Sequence, residues 1–297
     1  MANTIAGANL AAIAEMSLQP LQSAFLPLAA FTTDFSTDIA GRGASVTTRY
    51  ATNPTAQDLA SGYTRTDTTL TAITTTLDTF YGFVWGFDDL ERSKSSLQLN
   101  ELFIQPAAYA IAKKVFGDIW NLVNDTNYPA ATATELTVTA ANFDRDDVAD
   151  IAQQLTTNGV SKMGRSLILA PSHYGALSKD LNSVDAAGQS LTIGENRIPR
   201  LHGFDVYESA ECDANSVSVA GLATGKTGIL MAARSVDIAS EATKIVEFEN
   251  VVIPELGLPV QFRKWYDPST GYLMYSMGVL YGVKFGVPSS GLKIVIA

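Results

Sequence analysis

Residues 69–123 read TLTAITTTLDTFYGFVWGFDDLERSKSSLQLNELFIQPAAYAIAKKVFGDIWNLV. Two periodicities meet in this stretch. Its first half is crowded with Thr, Ile, Val, Phe, Tyr and Trp, the β-branched and aromatic residues that favour a pleated strand. From Leu97 onward the pattern turns helical. Tyr109, Ala112, Phe116, Ile119, Trp120 and Val123 share one stripe, and Ile111, Val115 and Leu122 widen it. Pro106 should kink this helix or mark its restart, because proline has no amide hydrogen to donate. Upstream, ASVTTRY (44–50) also has strand composition, and the intervening ATNPTAQDLASGY (51–63) carries the turn residues Asn53, Pro54 and Gly62. Together they predict a long hairpin. Its first half is polar and threonine-rich, with too few large apolar residues for a core of its own. Such a hairpin is marginal in isolation and requires a partner surface.

Working outward, residues 1–43 hold apolar residues without a sustained period: Leu10, Ile13, Met16, Leu18, Leu21, Phe25, Leu26, Leu28, Phe31 and Phe35. Pro20 and Pro27 rule out one continuous helix, leaving a short one over Leu10 to Met16. The segment is too apolar for a solvated tail. It is expected to be an arm lying on the chain's own body or on a neighbour. It has no basic n-region and is interrupted by Glu15, so no signal peptide is read. On the other side, Asp144 is placed to cap a helix with Asp146 and Asp147 in its first turn. Val148, Ile151, Ala152 and Leu155 form that helix's apolar face. A strand over Ser166 to Ala170 ends at Pro171, with Ser172 as the next cap, and Phe204 to Glu208 is another strand. The C-terminal part reads as successive strands, with a hairpin turn at Asp267-Pro268-Ser269-Thr270-Gly271. The fold class is α+β.

Composition narrows the function. The chain has 297 residues, 46% hydrophobic and 17% charged, a net charge of −10 and a pI of about 4.7. The acidic balance argues against reading nucleic acid through a basic patch. The low charge density suits large buried contacts between subunits, and equally a large core. Cys212 is the only cysteine, so no internal disulfide forms. No stretch approaches the apolar length needed to span a bilayer.

Candidate chemistry is sparse. Gly225-Lys226-Thr227 ends like a phosphate-binding loop, but the spacing G-x-x-x-x-G-K-[ST] would need glycine at Ala220, and Gly221 is one residue too close. A phosphate-loop nucleotidase with Lys226 on the phosphates is the remote alternative. The other reading is a glycine-rich turn entering a core strand. His173 directly follows Ser172, so the two do not face each other as base and nucleophile. His202 sits beside Gly203 with no nucleophile elbow in the chain. Asp144, Asp146 and Asp147, like Asp88, Asp89 and Glu91, are better explained as helix caps than as metal ligands. No catalytic residue, cofactor-binding residue or metal ligand is assigned, and no cofactor is expected.

The order of parts resembles the major capsid protein of tailed double-stranded DNA bacteriophages, the Hong Kong 97-type coat fold. Residues 46–50 (VTTRY) followed by 69–123 look like its extension hairpin running into its spine helix. DDVADIAQQLTTNGVSKMGRSLILAPSHYGALSKD (146–180), RIPRLHGFDVYESAE (197–211) and GILMAARSVDIASE (228–241) look like its axial domain. VQFRKWYDPSTGYLMYSMGVLYGVKFGVPSSGLKIV (260–295) looks like its final peripheral strands. The resemblance implies an N-terminal arm at 1–43, an extended hairpin loop at 44–96, a peripheral domain with the spine helix at 97–143 and 249–297, and an axial domain at 144–248. It implies hexamers and pentamers that close an icosahedral shell around double-stranded DNA, without sequence-specific binding and without a membrane. Arm and hairpin would pack on neighbouring subunits. Expected partners are the chain itself, a separate scaffolding protein, a portal and, as an option, a decoration protein. The expected location is the virion, after assembly in the host cytoplasm. An encapsulin-like cellular nanocompartment shell is the alternative with the same fold. Some relatives cross-link through Lys and Asn, but Lys94 lies near the base of the hairpin rather than its tip, so that chemistry is not carried over.

Overall fold

The computed structural model describes residues 17–18, 21, 24–39, 45–51, 56–63, 69–88, 99–130, 134–185, 198, 200–214, 218–236, 245–253 and 256–297. The strands among them, in chain order, are β1 (Thr32–Ile39), β2 (Ser45–Ala51), β3 (Leu70–Thr76), β4 (Thr79–Asp88), β5 (Glu135–Thr137), β6 (Arg165–Leu169), β7 (Phe204–Glu208), β8 (Val219–Thr224), β9 (Ile229–Ser235), β10 (Ile245–Val252), β11 (Pro259–Asp267), β12 (Tyr272–Phe285) and β13 (Gly291–Val295). The helices are α1 (Leu99–Trp120), α2 (Arg145–Thr157) and α3 (Pro171–Asp185).

The larger sheet is built around β12. Along one edge it pairs with β4, from Tyr272↔Asp88 to Tyr281↔Thr79. Along the other it pairs first with β11, from Asp267↔Tyr272 to Gln261↔Gly278, and then with β9, from Leu280↔Arg234 to Phe285↔Ile229. β10 extends the sheet beyond β11, and β1 extends it beyond β9 in parallel. The turn between β11 and β12 forms as its sequence predicts. Asp267 accepts from the Ser269 amide at 3.1 Å and from the Thr270 hydroxyl at 2.9 Å, and Gly271 supplies the positive φ of 74°.

α1 covers one face of this sheet. It buries Ile104, Ala107, Ala108, Ile111, Ala112, Val115, Phe116, Ile119 and Trp120 against Trp85, Phe87, Tyr275 and Met277. Trp85 and Tyr275 stack at 5.9 Å. The helix continues through Pro106, so no restart occurs there. Tyr109, placed on the apolar stripe by spacing alone, is exposed, with Ala107 and Ala108 covering that turn instead. The N-terminal segment lies on the chain's own body where it is described. Leu21, Phe25 and Leu28 are fully buried, Phe25 meets Phe116 at 6.4 Å, and β1 joins the sheet. The helix expected over Leu10 to Met16 lies outside the described residues.

The smaller sheet runs β5-β13-β8-β6-β7 and packs against α2 and α3. Sheet membership and chain order diverge: β9 and β10 lie in the larger sheet, whereas β5 and β13 lie in the smaller. β6 and β8 are buried along their whole length, hence their small and apolar runs Leu167–Leu169 and Val219–Ala223. Asp144 caps α2 as expected. It accepts from the Asp146 and Asp147 amides at 2.9 and 3.1 Å, while Asp147 accepts from the Asp144 amide at 3.2 Å. Burial pushes the Asp147 carboxyl above its ordinary range. α3 begins at Pro171, two residues earlier than a Ser172 cap would place it. Proline suits the first helical position, where the amide has no partner to lose.

Two buried cations organise this half. Arg165, 2% exposed, donates to the carbonyls of Ser161, Ala152 and Val160 and to the Thr156 hydroxyl. It thereby ties the end of α2 to the loop entering β6. Arg165→Ala strips four acceptors of a charged donor, and its denaturation midpoint should fall by about 3 kcal/mol of stability. Arg165→Lys should not restore it, because one ammonium does not span four separated oxygens.

Lys293, in the middle of β13, contacts Asp125 and Glu135, the latter at 2.8 Å. Burial works to lower its pKa, but the hydrogen bonds it donates to Asp125 and Glu135 outweigh it and hold the ammonium above the ordinary lysine range. A folded value above the unfolded one stabilises fully below about pH 10.4, and the contribution is lost as pH rises through the folded value. Lys293→Met should therefore unfold more easily than the parent at about pH 8 and lose less stability than the parent under stronger alkali. Denaturant midpoints measured across pH for both chains check this.

Candidate functional site

Gly225 to Gly228 carries the chain out of β8 in the smaller sheet and into β9 in the larger. A second crossing, from β12 to β13, lies against it. The Gly225 amide donates to the Ser290 carbonyl at 2.7 Å, the Gly286 amide to Gly228 at 2.9 Å, and the Val287 amide to Thr227 at 3.0 Å. The Thr227 and Ser290 hydroxyls bond at 2.7 Å. The glycines are required by this approach. A Cβ on Gly286 would lie 2.0 Å from the Thr227 carbonyl oxygen. Tyr128 fills the remaining space, edge-on to Phe285 at 5.1 Å and packed against Gly291. Its hydroxyl is buried without a hydrogen-bond partner, and burial raises its pKa.

This arrangement overturns the phosphate-loop alternative. A phosphate cradle needs free amides and a helix that starts at the lysine. Here β9 follows, and the Gly225 and Gly228 amides are already bonded to carbonyls of the chain. The stem of Lys226 lies on Gly164. The motif is a crossing between sheets.

Of the remaining polar candidates, Ser172 and His173 meet through a local hydrogen bond, against the expectation from their adjacency, and the others sit apart. His173 is fully buried, with its ring nitrogens 3.2 Å from the Ser172 hydroxyl and 3.3 Å from the Val138 carbonyl, and its ring is edge-on to Phe143. It is a core histidine bridging α3 and the segment after β5. His202 adopts a positive φ of 46° in the turn before β7. Cys212 is buried. Asp144, Asp146 and Asp147 form the cap already described. Among the described residues no group of His, Cys, Asp or Glu is placed to hold a metal. Asp89, Glu91 and Lys94 lie outside the described residues.

What the molecule offers instead is surface. Among the described residues β2 and β3 pair only with each other, from Ser45↔Thr76 to Ala51↔Leu70, with the Thr47 and Thr74 hydroxyls bonded at 3.1 Å. Leu70 at the start of β3, and Leu59 and Tyr63 beyond the two strands, are exposed. β4, whose sequence continues the same β-rich run, leaves the hairpin and pairs with β12. Its alternate residues explain the change. Trp85 and Phe87 turn toward α1, while Phe80 and Val84 face away and stay about half exposed. The outer face of the larger sheet thus carries a groove of about 440 Å³, walled by Phe80, Val84, Arg263 and Trp265 over Gly82 and Gly278. Arg263 lies over the Phe80 ring at 5.7 Å and donates to the Gln261 side-chain oxygen at 2.6 and 2.8 Å. Desolvation lowers its pKa. Sequence reading missed this groove. The available signal was the alternation of Phe80, Gly82, Val84 and Gly86, which marks a second, uncovered face.

Millimolar ATP with magnesium should shift the melting midpoint of neither the parent nor Lys226→Ala. A nucleotide-dependent rise in the parent, lost in the variant, would restore the phosphate-loop reading.

Comparison with known proteins bears on the same point. No curated protein matches the sequence. Solved structures share its fold at low identity. One from Mycobacterium phage Che8 is 19% identical with a TM-score of 0.57, over 85% of this chain and 84% of that one. The asymmetric unit of the bacteriophage PhiM1 mature capsid is 14% identical with a TM-score of 0.60, over 91% and 86%. A virus-like particle from Pyrococcus furiosus is 7% identical with a TM-score of 0.56, over 96% and 98%. A family model described as phage capsid protein matches residues 68–268, which is more than half of the chain and includes β4, α1, the Gly-Lys-Thr crossing and β11. The chain belongs to the phage capsid protein family, and its mixed fold is of the Hong Kong 97 type.

Proposed function

We propose that this chain is a major capsid protein whose copies assemble as hexamers and pentamers into an icosahedral shell enclosing double-stranded DNA. The observation that carries the reading is the family match over residues 68–268, on a chain whose β2–β3 hairpin has no core of its own. A two-stranded ribbon of this composition gains stability only by covering another surface. The half-exposed Phe80 and Val84 are apolar surface of the kind a partner covers. In this reading the larger sheet with α1 is the peripheral domain and spine helix, and the smaller sheet with α2 and α3 is the axial domain. A separate scaffolding protein and a portal remain the expected partners, with a decoration protein as an option and assembly in the host cytoplasm. The net charge of −10 suits a shell that contains DNA without gripping it.

A cellular nanocompartment is the second reading, supported by the fold shared with the Pyrococcus furiosus particle. Deleting residues 53–62 should leave a folded subunit that fails to close shells, read by circular dichroism and by negative-stain microscopy after gradient sedimentation. Normal shells from the deleted chain would remove the hairpin from the assembly contacts. DNA inside the parent's shells supports the virion, and packaged enzymes support the compartment.

A further inference from the structure

The root of the hairpin packs on β12 and β9, and its tightest approach is at a glycine. Gly282 lies in β12 opposite Ala232 of β9, both on the sheet face turned away from α1. A Cβ on Gly282 would fall 2.0 Å from the Thr76 carbonyl oxygen and 2.9 Å from the Thr76 carbonyl carbon. Thr76 is the last residue of β3. Glycine inside a strand marks a place where another backbone approaches closely, and here that backbone is the root of the hairpin.

Floor and arm differ in their freedom to yield. The floor is held on several sides. Gly282 is paired to β9, and the preceding Tyr281 is paired to Ala233 on one edge and Thr79 on the other. Tyr281 is fully buried, and its hydroxyl donates to Asp118 of α1 at 2.6 Å, while Asp118 also holds Lys114 at 2.5 Å. The arm is paired only within itself. A side chain added at position 282 meets main-chain atoms, which no rotamer change relieves. The arm must move by more than an ångström to reach ordinary contact. A strand of seven residues reaches roughly 23 Å, so a small tilt at Thr76 becomes a large displacement at the tip.

We propose that Gly282 is a positioning residue, the seat that sets the direction in which the β2–β3 hairpin leaves the subunit. Its consequence for shell closure rests on the capsid reading; the seat itself does not. The test therefore uses the unassembled full chain. Spin labels at Tyr63→Cys and Met163→Cys, both strongly exposed, in a Cys212→Ala background report the distance from hairpin tip to body by pulsed dipolar spectroscopy. The parent should give one narrow distance distribution. Gly282→Ala should displace its maximum by more than its width, with a melting midpoint close to the parent's. Three results would overturn the proposal: a broad distribution in the parent, meaning no fixed seat; an unchanged maximum in a folded Gly282→Ala; or loss of the β12 fold in that variant, meaning that the floor yields and the arm does not. The parent measurement decides the first even where the variant fails to fold. A displaced arm with normal shells would count against the hairpin's part in assembly and leave the seat intact.

Discussion

Main-chain hydrogen bonding along β12 is the constraint on which the rest of the structure depends. A buried amide or carbonyl left unpaired is costly, so a strand of this length must find partners on both edges along its run. It finds β4 on one edge, and β11 then β9 on the other. β4 brings the hairpin with it, β11 brings β10, and β9 brings the parallel β1 from the N-terminal segment. α1 packs on the single face that results, and its small residues Ala107, Ala108 and Ala112 let it approach closely. Segments two hundred residues apart become neighbours through this strand. Arg234, for example, bonds to the Asp34 carbonyl at 2.7 Å and its carboxylate at 3.1 Å.

The junction between the two sheets follows from a second constraint, close packing of backbone on backbone. The crossings at Gly225–Gly228 and Gly286–Ser290 exchange hydrogen bonds as a sheet would, but they are too short to be strands. Only glycine permits the approach, and Tyr128 closes the space with a ring whose hydroxyl forgoes a partner. A motif with the look of a nucleotide site is thus explained by steric need. The same need recurs at Gly282, where the backbone received is that of the hairpin. The glycines of β12, and the one that follows its last residue, therefore have separate tasks. Gly278 receives the Phe80 ring, Gly282 the Thr76 carbonyl and Gly286 the Thr227 carbonyl.

Much of the local structure was legible. The α2 cap was readable from Asp144, Asp146 and Asp147 because a cap is a contact within four residues. The Asp267–Gly271 turn was readable for the same reason. The apolar stripe of α1 was readable from Phe116, Ile119 and Trp120 and misread at Tyr109, since periodicity places residues on a face without saying how much of that face a neighbour covers. The candidate surface was half legible. The threonine-rich composition of β2 and β3 announced a ribbon without a core. The departure of β4 to β12, and the uncovered groove it creates, did not show, because strand partners are chosen by residues far away in the chain.

By itself, the sequence determined the α+β class, the caps and turns, and the unsupported hairpin. Each of these is set by short-range periodicity, side-chain chemistry or composition. Only the tertiary structure decided that β4 belongs to β12, that β9 and β10 lie in one sheet while β5 and β13 lie in the other, and that Gly-Lys-Thr is a crossing between them. Pairing depends on which buried edges remain to be satisfied once the whole chain is packed, and that is a property of the assembled backbone rather than of any window along it.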